Sequence, residues 1–494
     1  MTSIDHIAPA ARTDSHDARR WWILVIIGIA QLMVVLDATI VNIALPSAQK
    51  ALHFTDNERQ WIITGYALAF GSLLLVGGRI GDLFGRKITF IAGLIGFAVV
   101  SAIGGTAQSF EVLVGARALQ GAFGALLAPT ALSLLTTTFS RPDERGKAFG
   151  IFGAIAGGGG AVGLLLGGVL TESLSWRWCL YVNLLFAIPA ALSALALLRN
   201  QAPAAKPRID VPGTLTASAG LFALVYGFSR AEPDGWTSAT TLGFLAASVV
   251  LLAAFAALQR RVAHPLLPLR VVLDRNRGGS YLAIGIVGAG MFGVFLFLTY
   301  YLQQTLGFSP IQTGLAFLPI VGAVVVTATT ATTRVLPRTG PRPLITLGMV
   351  LASAGMILLA QLGVDSSYAA HVLPGLTVTG IGIGLITSPA MNTATLGVDA
   401  ADAGVASATV NTMQQIGGSV GTALLTTLST SATTSFLVGR SPNAGVVAHA
   451  AVHGYTTAFW WAAAIFDAGA IVSGLLLRSG APRLERAAEP VLAH

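Results

Sequence analysis

Asp37, Arg117 and Asp467 are the ionised side chains that fall well inside long apolar stretches of this 494-residue chain. A carboxylate deep in hydrocarbon is costly, so it persists by facing a wet cavity, by pairing, or by staying protonated. Asp37 stands 15 residues after Trp22 and 9 before Pro46, roughly 13 Å from the outer end of a helix rising 1.5 Å per residue. Arg117 stands six residues after Glu111, roughly 9 Å into a helix running the other way. The two depths differ by less than one turn. An acid and a guanidinium at one depth can manage a proton. Desolvation favours the neutral form of a carboxyl, a nearby guanidinium favours the charged form, and any movement that alters their separation or wetting switches proton affinity. Gln120, one turn beyond Arg117, can hold the guanidinium while the acid is protonated. A static ion pair fixing two helices is the alternative role. Asp467 lies about 18 Å into the final apolar stretch.

The elements that must position these residues are helices. Fourteen apolar stretches occupy residues 22–46, 59–78, 88–107, 111–139, 146–171, 176–198, 213–230, 238–259, 280–304, 310–333, 342–362, 370–396, 404–432 and 454–477. Each is long enough to cross a bilayer, where every backbone polar group must be satisfied internally. Hydrophobic residues make up 54% of the chain and charged residues 10%, against about 25% charged in soluble domains, so the chain is read as an all-α polytopic membrane protein. An even number of spans puts both termini on one side. Of the 29 Lys and Arg, five (Lys50, Arg59, Arg177, Arg230 and Arg440) fall in loops on the opposite side and Arg117 lies in a span, leaving 23 with the termini. The positive-inside rule makes that side cytoplasmic. The loop 397–403 deviates, with Asp399 and Asp402 and no basic residue.

The formal charge of +8 forms no interaction face and implies no nucleic-acid partner. The lone Cys179 excludes an internal disulfide and a CxxC metal site. Four Lys against 25 Arg, with abundant Ala and Gly, fit a GC-rich bacterial genome and hence an inner membrane. The first span is too long for a signal-peptide core and is read as an uncleaved helix behind a polar tail, 1–20.

The chain also repeats itself. Pro129 precedes Glu144-Arg145-Gly146 much as Pro389 precedes Asp402-Ala403-Gly404, and Gly85-Arg86-Lys87 resembles Gly340-Pro341-Arg342. The order suggests two six-helix halves, 21–198 and 280–478. Between them lie linkers and two inserted helices, 199–279, and a tail follows at 479–494. Parallel halves of this kind place a substrate site between them at mid-membrane.

Several motifs in the same order carry a family resemblance. They are Leu36-Asp37-Ala38-Thr39-Ile40-Val41-Asn42-Ile43-Ala44-Leu45-Pro46 in the first span and Gly78-Arg79-Ile80-Gly81-Asp82-Leu83-Phe84-Gly85-Arg86-Lys87 after the second. Arg117-Ala118-Leu119-Gln120-Gly121 stands in the fourth, Trp176-Arg177-Trp178 with Asn183 opens the sixth, and Asn411 to Gly421 forms part of the thirteenth. On these residues the chain resembles the major facilitator superfamily, and within it the fourteen-helix drug:proton antiporters. The resemblance covers essentially residues 20–480. It implies a major facilitator fold of two six-helix bundles plus two inserted helices. It also implies that the first and fourth helices line a central cavity, which lets Asp37 and Arg117 face each other.

The resemblance further implies roles. Asp37, Arg117 and Gln120 would couple a proton. Gly78, Asp82, Gly85, Arg86 and Lys87 would form a cytoplasmic latch, with Asp82 set against the N-terminus of the third span. Gly159, Gly163, Gly167 and Gly168 would give the fifth helix a smooth packing face. The proline of the family's fifth-helix motif is Leu164 here, so no kink is expected there. Asn42, Phe292, Phe295, Tyr300, Asn392, Asn411 and Gln414 are candidates for the substrate cavity, since aromatic faces can hold cationic lipophiles. For Tyr300, near a helix end, an interfacial belt is the favoured alternative. The last helix of each half is peripheral, so Asp467 is expected to hydrogen-bond a neighbouring helix or to act as a second proton site.

A proton-coupled exporter of lipophilic or amphipathic drugs or secondary metabolites follows, with the small substrate, protons and membrane lipid as its partners and a monomer expected. No cofactor, metal or catalytic residue is expected beyond the coupling proton. The missing proline at Leu164 leaves a proton-coupled importer of a small metabolite as the alternative. A polytopic membrane enzyme is a distant one, since the chain has no HExxH, no proteolytic aspartate pair and no acidic loop motif for a metal-bound sugar donor, and the lack of a Walker A sequence argues against ATP drive.

Overall fold

The computed structural model describes residues 13–54, 56–139, 141–199, 210–263, 265–399, 402–441 and 443–480. Most of both tails and of the first linker, and the side chains of Asn42, Leu164 and Phe292, lie outside the described residues. The first half contributes α1 (Thr13–Leu52), α2 (Asp56–Phe84), α3 (Arg86–Gly105), α4 (Phe110–Thr138), α5 (Pro142–Ser173) and α6 (Trp178–Leu197). Two further helices follow, α7 (Val211–Asp234) and α8 (Ala239–Gln259), and then a short connector helix α9 (Leu269–Leu273). The second half comprises α10 (Arg275–Tyr300), a broken segment α11 (Pro310–Ala316), α12 (Leu318–Thr330) and α13 (Leu336–Thr339), then α14 (Pro341–Leu359), α15 (Leu373–Thr395), α16 (Ala403–Leu437) and α17 (Ala444–Leu476). Twelve spans among the described residues are long and apolar enough to cross a membrane on their own. Helices α5 and α16, at 32 and 35 residues, are also long enough, but are rich in glycine and in threonine and serine and pack among the others.

Within the first half α1 packs on α4, α5 and α6, α2 on α4, and α3 on α4 and α6. The second half repeats the scheme, with α10 on α15, α16 and α17, and α14 on α15 and α17. The halves meet where α16 lies on α2 and α4, and where α5 lies on α12 and α15. Helix α7 rests on α2 and α16, and α8 packs on α7.

Two glycines turn the chain at equivalent places. Gly85 (φ 94°) precedes α3 and Gly340 (φ 79°) precedes α14. This is the left-handed region, open to a residue without Cβ. The span expected at 310–333 is not one helix. Pro319 enters at the start of α12, where its missing N–H breaks the ladder from α11. Helix α5, without proline in its interior, runs unbroken for its 32 residues. Three single π-helical turns, Tyr301–Thr305, Ala331–Val335 and Tyr368–Val372, all lie in the second half.

Candidate functional site

Asp37 and Arg117 meet in the interior of the first half, with side chains 0% and 2% exposed. Arg117 Nη1 donates to Asp37 Oδ2 at 2.5 Å and to Gln120 Oε1 at 2.8 Å. Gln120 Nε2 donates to Asp37 Oδ1 at 3.2 Å and to Ser101 Oγ at 2.7 Å. Asn183 Nδ2 donates to the same Oδ1 at 2.7 Å. Side chains of α4 and α6 therefore meet on the carboxyl group that α1 carries, and Ser101 of α3 joins them through Gln120 and Asn183. From α2, the ring of Tyr66 lies under the guanidinium, 4.3 Å from centroid to Cζ. A cation on an aromatic face in a dry site gains about 2 kcal/mol or more. The three residues expected to act together do lie together. Asn183, Ser101 and Tyr66 complete the site and were not expected in it. Asn183 carried a signal, since it stands five residues after Trp178 and so roughly 8 Å into its helix, near the depth of Arg117.

Glycines on α5 seat the helix that carries Asp37. A Cβ added at Gly167 would lie 2.9 Å from the Ile40 side chain and 3.1 Å from its carbonyl oxygen. At Gly163 it would press on Thr39 and come within 3.0 Å of the Leu36 oxygen, and at Gly159 it would meet Val35 at 3.0 Å. Gly168, next to this row, is buried. Earlier in the same helix, Gly146, Gly150 and Gly153 lie equally close to Thr332, Thr329 and Ser388 of the second half. One glycine-rich helix thus holds α1 with one stretch and the opposite half with another.

The basic end of the bundle carries hydrogen bonds between the halves. Asp82 Oδ1 accepts the Gly404 N–H at 3.1 Å, in the first turn of α16, and Arg86 Nη2 donates to the same oxygen at 3.2 Å. Asp82 was expected to serve α3. It serves α16 instead, because Gly78 and Gly404 let α2 and α16 touch: a Cβ at Gly78 would lie 2.6 Å from the Gly404 oxygen. Lys87 is not part of this contact. Its Nζ donates to Leu195 O at 2.8 Å, and Arg19 donates to Leu197 O at 2.6 and 3.0 Å, so both basic residues serve the C-terminus of α6 within their own half.

A second inter-half contact was missed. Buried Arg145 of α5 donates from Nε to Asn392 Oδ1 at 2.7 Å and from Nη2 to Thr395 Oγ1 at 2.9 Å, both on α15. Its position in the Glu144-Arg145-Gly146 repeat was the available signal.

The cavity candidates separate. Asn392 is engaged by Arg145 at the basic end, so its place in a mid-membrane cavity is corrected. Tyr300 is 43% exposed and stacks on Tyr455 of α17, a helix on the far side of α10 from the first half, so it too leaves the cavity set. Phe295 of α10 packs on Phe317 with ring centroids 5.0 Å apart and lies 3.9 Å from where a Gly160 Cβ would stand, at the boundary of the halves. Asn411, on the helix that meets α2 and α4, donates to Ser407 O at 2.9 Å, and Gln414 is part-buried one turn on. Asn42 and Phe292 lie outside the described side chains. Among the described residues, Asp467 makes no hydrogen bond or ion pair with a neighbouring helix. It sits on the exposed face of α17 with Trp460, Trp461 and Ile471, apart from the Asp37 cluster.

Comparison with known proteins agrees with this architecture. The Major Facilitator Superfamily profile matches residues 27–422. The chain is 49% identical to the puromycin resistance protein of Streptomyces alboniger over 95% of this chain and 94% of that one. It is 36% identical to the cephamycin export protein CmcT of Amycolatopsis lactamdurans over 100% and 99% of the two chains. It is also 35% identical to the tetracenomycin C resistance and export protein of Streptomyces glaucescens, over 82% and 75%. Among solved structures, the crystal structure of the human organic anion transporter MFSD10 superposes with a TM-score of 0.60 at 14% identity, covering 92% of this chain and 99% of that one, which is a likeness of fold. The fold, its motifs and these relatives place the chain in the Major Facilitator Superfamily of membrane transporters.

Proposed function

We propose that this protein exports antibiotic-like, lipophilic or amphipathic small molecules from the cell in exchange for protons, working by alternating access in a bacterial inner membrane with both termini in the cytoplasm. The observation that carries proton coupling is the buried Asp37 carboxyl, held by Arg117, Gln120 and Asn183 inside the first half. Outward transport is supported by relatives named for antibiotic resistance and export along nearly their whole length.

On this reading the basic end faces the cytoplasm, and the Asp82–Gly404 and Arg145–Asn392 contacts close it in the present conformation. Opening that end parts α2 from α16 and α5 from α15, while Asp37 gains or loses its proton. The ion pair is stable only while both members stay. Removing one partner of a buried pair costs about 3–5 kcal/mol because the other charge is left uncompensated. Protonating Asp37 removes its charge without removing its side chain, and Gln120 Oε1 already accepts from Arg117 and stays on the guanidinium.

The test is uptake of puromycin into inside-out proteoliposomes with an acidic interior. Accumulation that collapses when a protonophore is added is the expected result. Accumulation that continues after collapse of the pH gradient, or movement only in the opposite direction, contradicts the proposal.

A further inference from the structure

Two amide side chains touch Asp37, and they are not equivalent. Gln120 is committed at both ends, its Oε1 accepting from Arg117 and its Nε2 donating to Asp37 and Ser101. Turning that amide would set its NH₂ against the guanidinium. Asn183 is committed at one end only. Its Nδ2 donates to Asp37 Oδ1 at 2.7 Å and lies 3.4 Å from Ser101 Oγ, while its Oδ1 is buried without a hydrogen-bond partner among the described residues. Asn183 itself is 0% exposed. A buried acceptor left unpaired is destabilising, so its place beside a carboxyl that can gain a donor calls for explanation.

We infer that Asn183 senses the protonation state of Asp37 by turning its amide, donating to the carboxylate and accepting from the carboxylic acid. The inference rests on the proton-coupled reading above. The proton arrives from water, and one O–H bond forms at Asp37 Oδ1. That oxygen keeps a lone pair for Gln120 Nε2, and its new O–H points at the Asn183 side chain. As the structure stands it would meet the Nδ2 hydrogens. A half-turn about the last side-chain torsion brings Oδ1 there instead, so the acceptor that lacked a partner gains one. No covalent bond of Asn183 changes, and Arg117 stays on Asp37 Oδ2.

The released Nδ2 moves away from Asp37 and Ser101. Protonation of α1 is thereby felt by α6 directly, and by α3 through Ser101. The other titratable or charged groups around Asp37 are Arg117 of α4, Tyr66 of α2 and Cys179 of α6; α5 presents glycines there. A guanidinium stays charged, and an ordinary phenol or thiol stays neutral, in the range where carboxyls titrate. Arg117 offers no acceptor, and among the described residues no hydrogen bond joins Tyr66 or Cys179 to Asp37, whereas Asn183 already touches the oxygen that takes the proton.

The experiment needs only protons as ligand. Infrared difference spectra between alkaline and acidic pH are recorded on the full-length protein in lipid bilayers, grown with ¹³C-labelled asparagine. The expected result is a carboxylic-acid C=O band that is lost in Asp37→Ala, together with a shifted ¹³C amide band that is lost in both Asp37→Ala and Asn183→Leu. In Asn183→Leu the acid band persists but moves to higher frequency, since its O–H has lost its acceptor. A serine at 183, which keeps a hydroxyl, brings that band part of the way back. Should the leucine variant not fold, the labelled native protein still decides. An Asp37 acid band with no accompanying amide shift overturns the inference and leaves proton coupling standing. Absence of any Asp37 acid band across the pH range overturns both.

Discussion

The carboxylate of Asp82 and the backbone N–H of Gly404, 322 positions apart in sequence, are joined at 3.1 Å across the boundary between the two halves. An acidic side chain at the first turn of a helix gains from the unsatisfied N–H groups and the helix dipole there. The contact forms only while α2 and α16 touch at the basic end, so its strength adds to the stability of the closed conformation and to nothing in the open one.

Asp82→Asn keeps the shape and removes the charge. The closed state should lose about 1 kcal/mol. In a Cys179→Ser background, a thiol introduced at Ala408, against which Gly78 packs, should then react with a water-soluble maleimide about fivefold more in the variant, the population change that such an energy implies. Equal labelling with and without Asp82→Asn contradicts the assignment of this residue as a latch.

Arg145→Ala removes the hydrogen bonds that join α5 to α15 and strands Asn392 Oδ1. Hydrogen bonds from a charged group carry about 1.5–3 kcal/mol, so this variant should open the basic end further than Asp82→Asn does. The two contacts use different helices. In the same labelling assay the double variant should show an effect equal to the sum of the two free energies within about 0.5 kcal/mol. A double variant no more open than Arg145→Ala alone would mean that Asp82 contributes nothing once Arg145 is gone.

Gly163→Val pushes a branched side chain into the Thr39 side chain and the Leu36 carbonyl. Overpacking of this kind costs about 1–3 kcal/mol and should lower the thermal unfolding midpoint in detergent. Gly115→Ala on α4, where an added Cβ meets nothing within 4 Å, serves as the control and should leave the midpoint unchanged or raise it. Equal midpoints for the two variants contradict the close seating of α1 on α5.

Arg117→Lys tests the geometry of the pair in preference to its charge. One guanidinium nitrogen serves both Asp37 and Gln120 while the planar group lies on Tyr66, and an ammonium cannot reproduce that stacked contact. Lysine should retain folding but lose at least tenfold in gradient-driven transport, whereas Arg117→Ala should cost about 3–5 kcal/mol of stability. Wild-type transport by the lysine variant would reduce the arginine to a point charge.

Much of this was legible in the sequence because a membrane makes charge conspicuous. Asp37 and Arg117 could be set at one depth by counting residues, and the glycines at 159, 163 and 167 fall on one face by their spacing. What lies across the half boundary was not legible. Nothing local to Asp82 says that its partner is Gly404, and Arg145 reads as one more basic loop residue until α15 is placed beside it. Neutral polar residues gave the weakest signal. Asn183, Asn392 and Asn411 look alike in sequence, yet the first binds Asp37, the second binds Arg145 and the third bonds its own helix. Tyr300 and Asp467 show the same gap, since composition gives the depth of a residue but its helix face depends on which neighbours pack there.

The central claim is that Asp37 exchanges the coupling proton, and it is tested most directly by proton release. Purified protein in weakly buffered detergent solution is mixed with puromycin while a pH-sensitive dye is followed. With puromycin as substrate, as proposed above, folded wild-type protein should release protons in an amount that saturates with it, and folded Asp37→Asn should release none. Equal release from the two proteins would contradict the account.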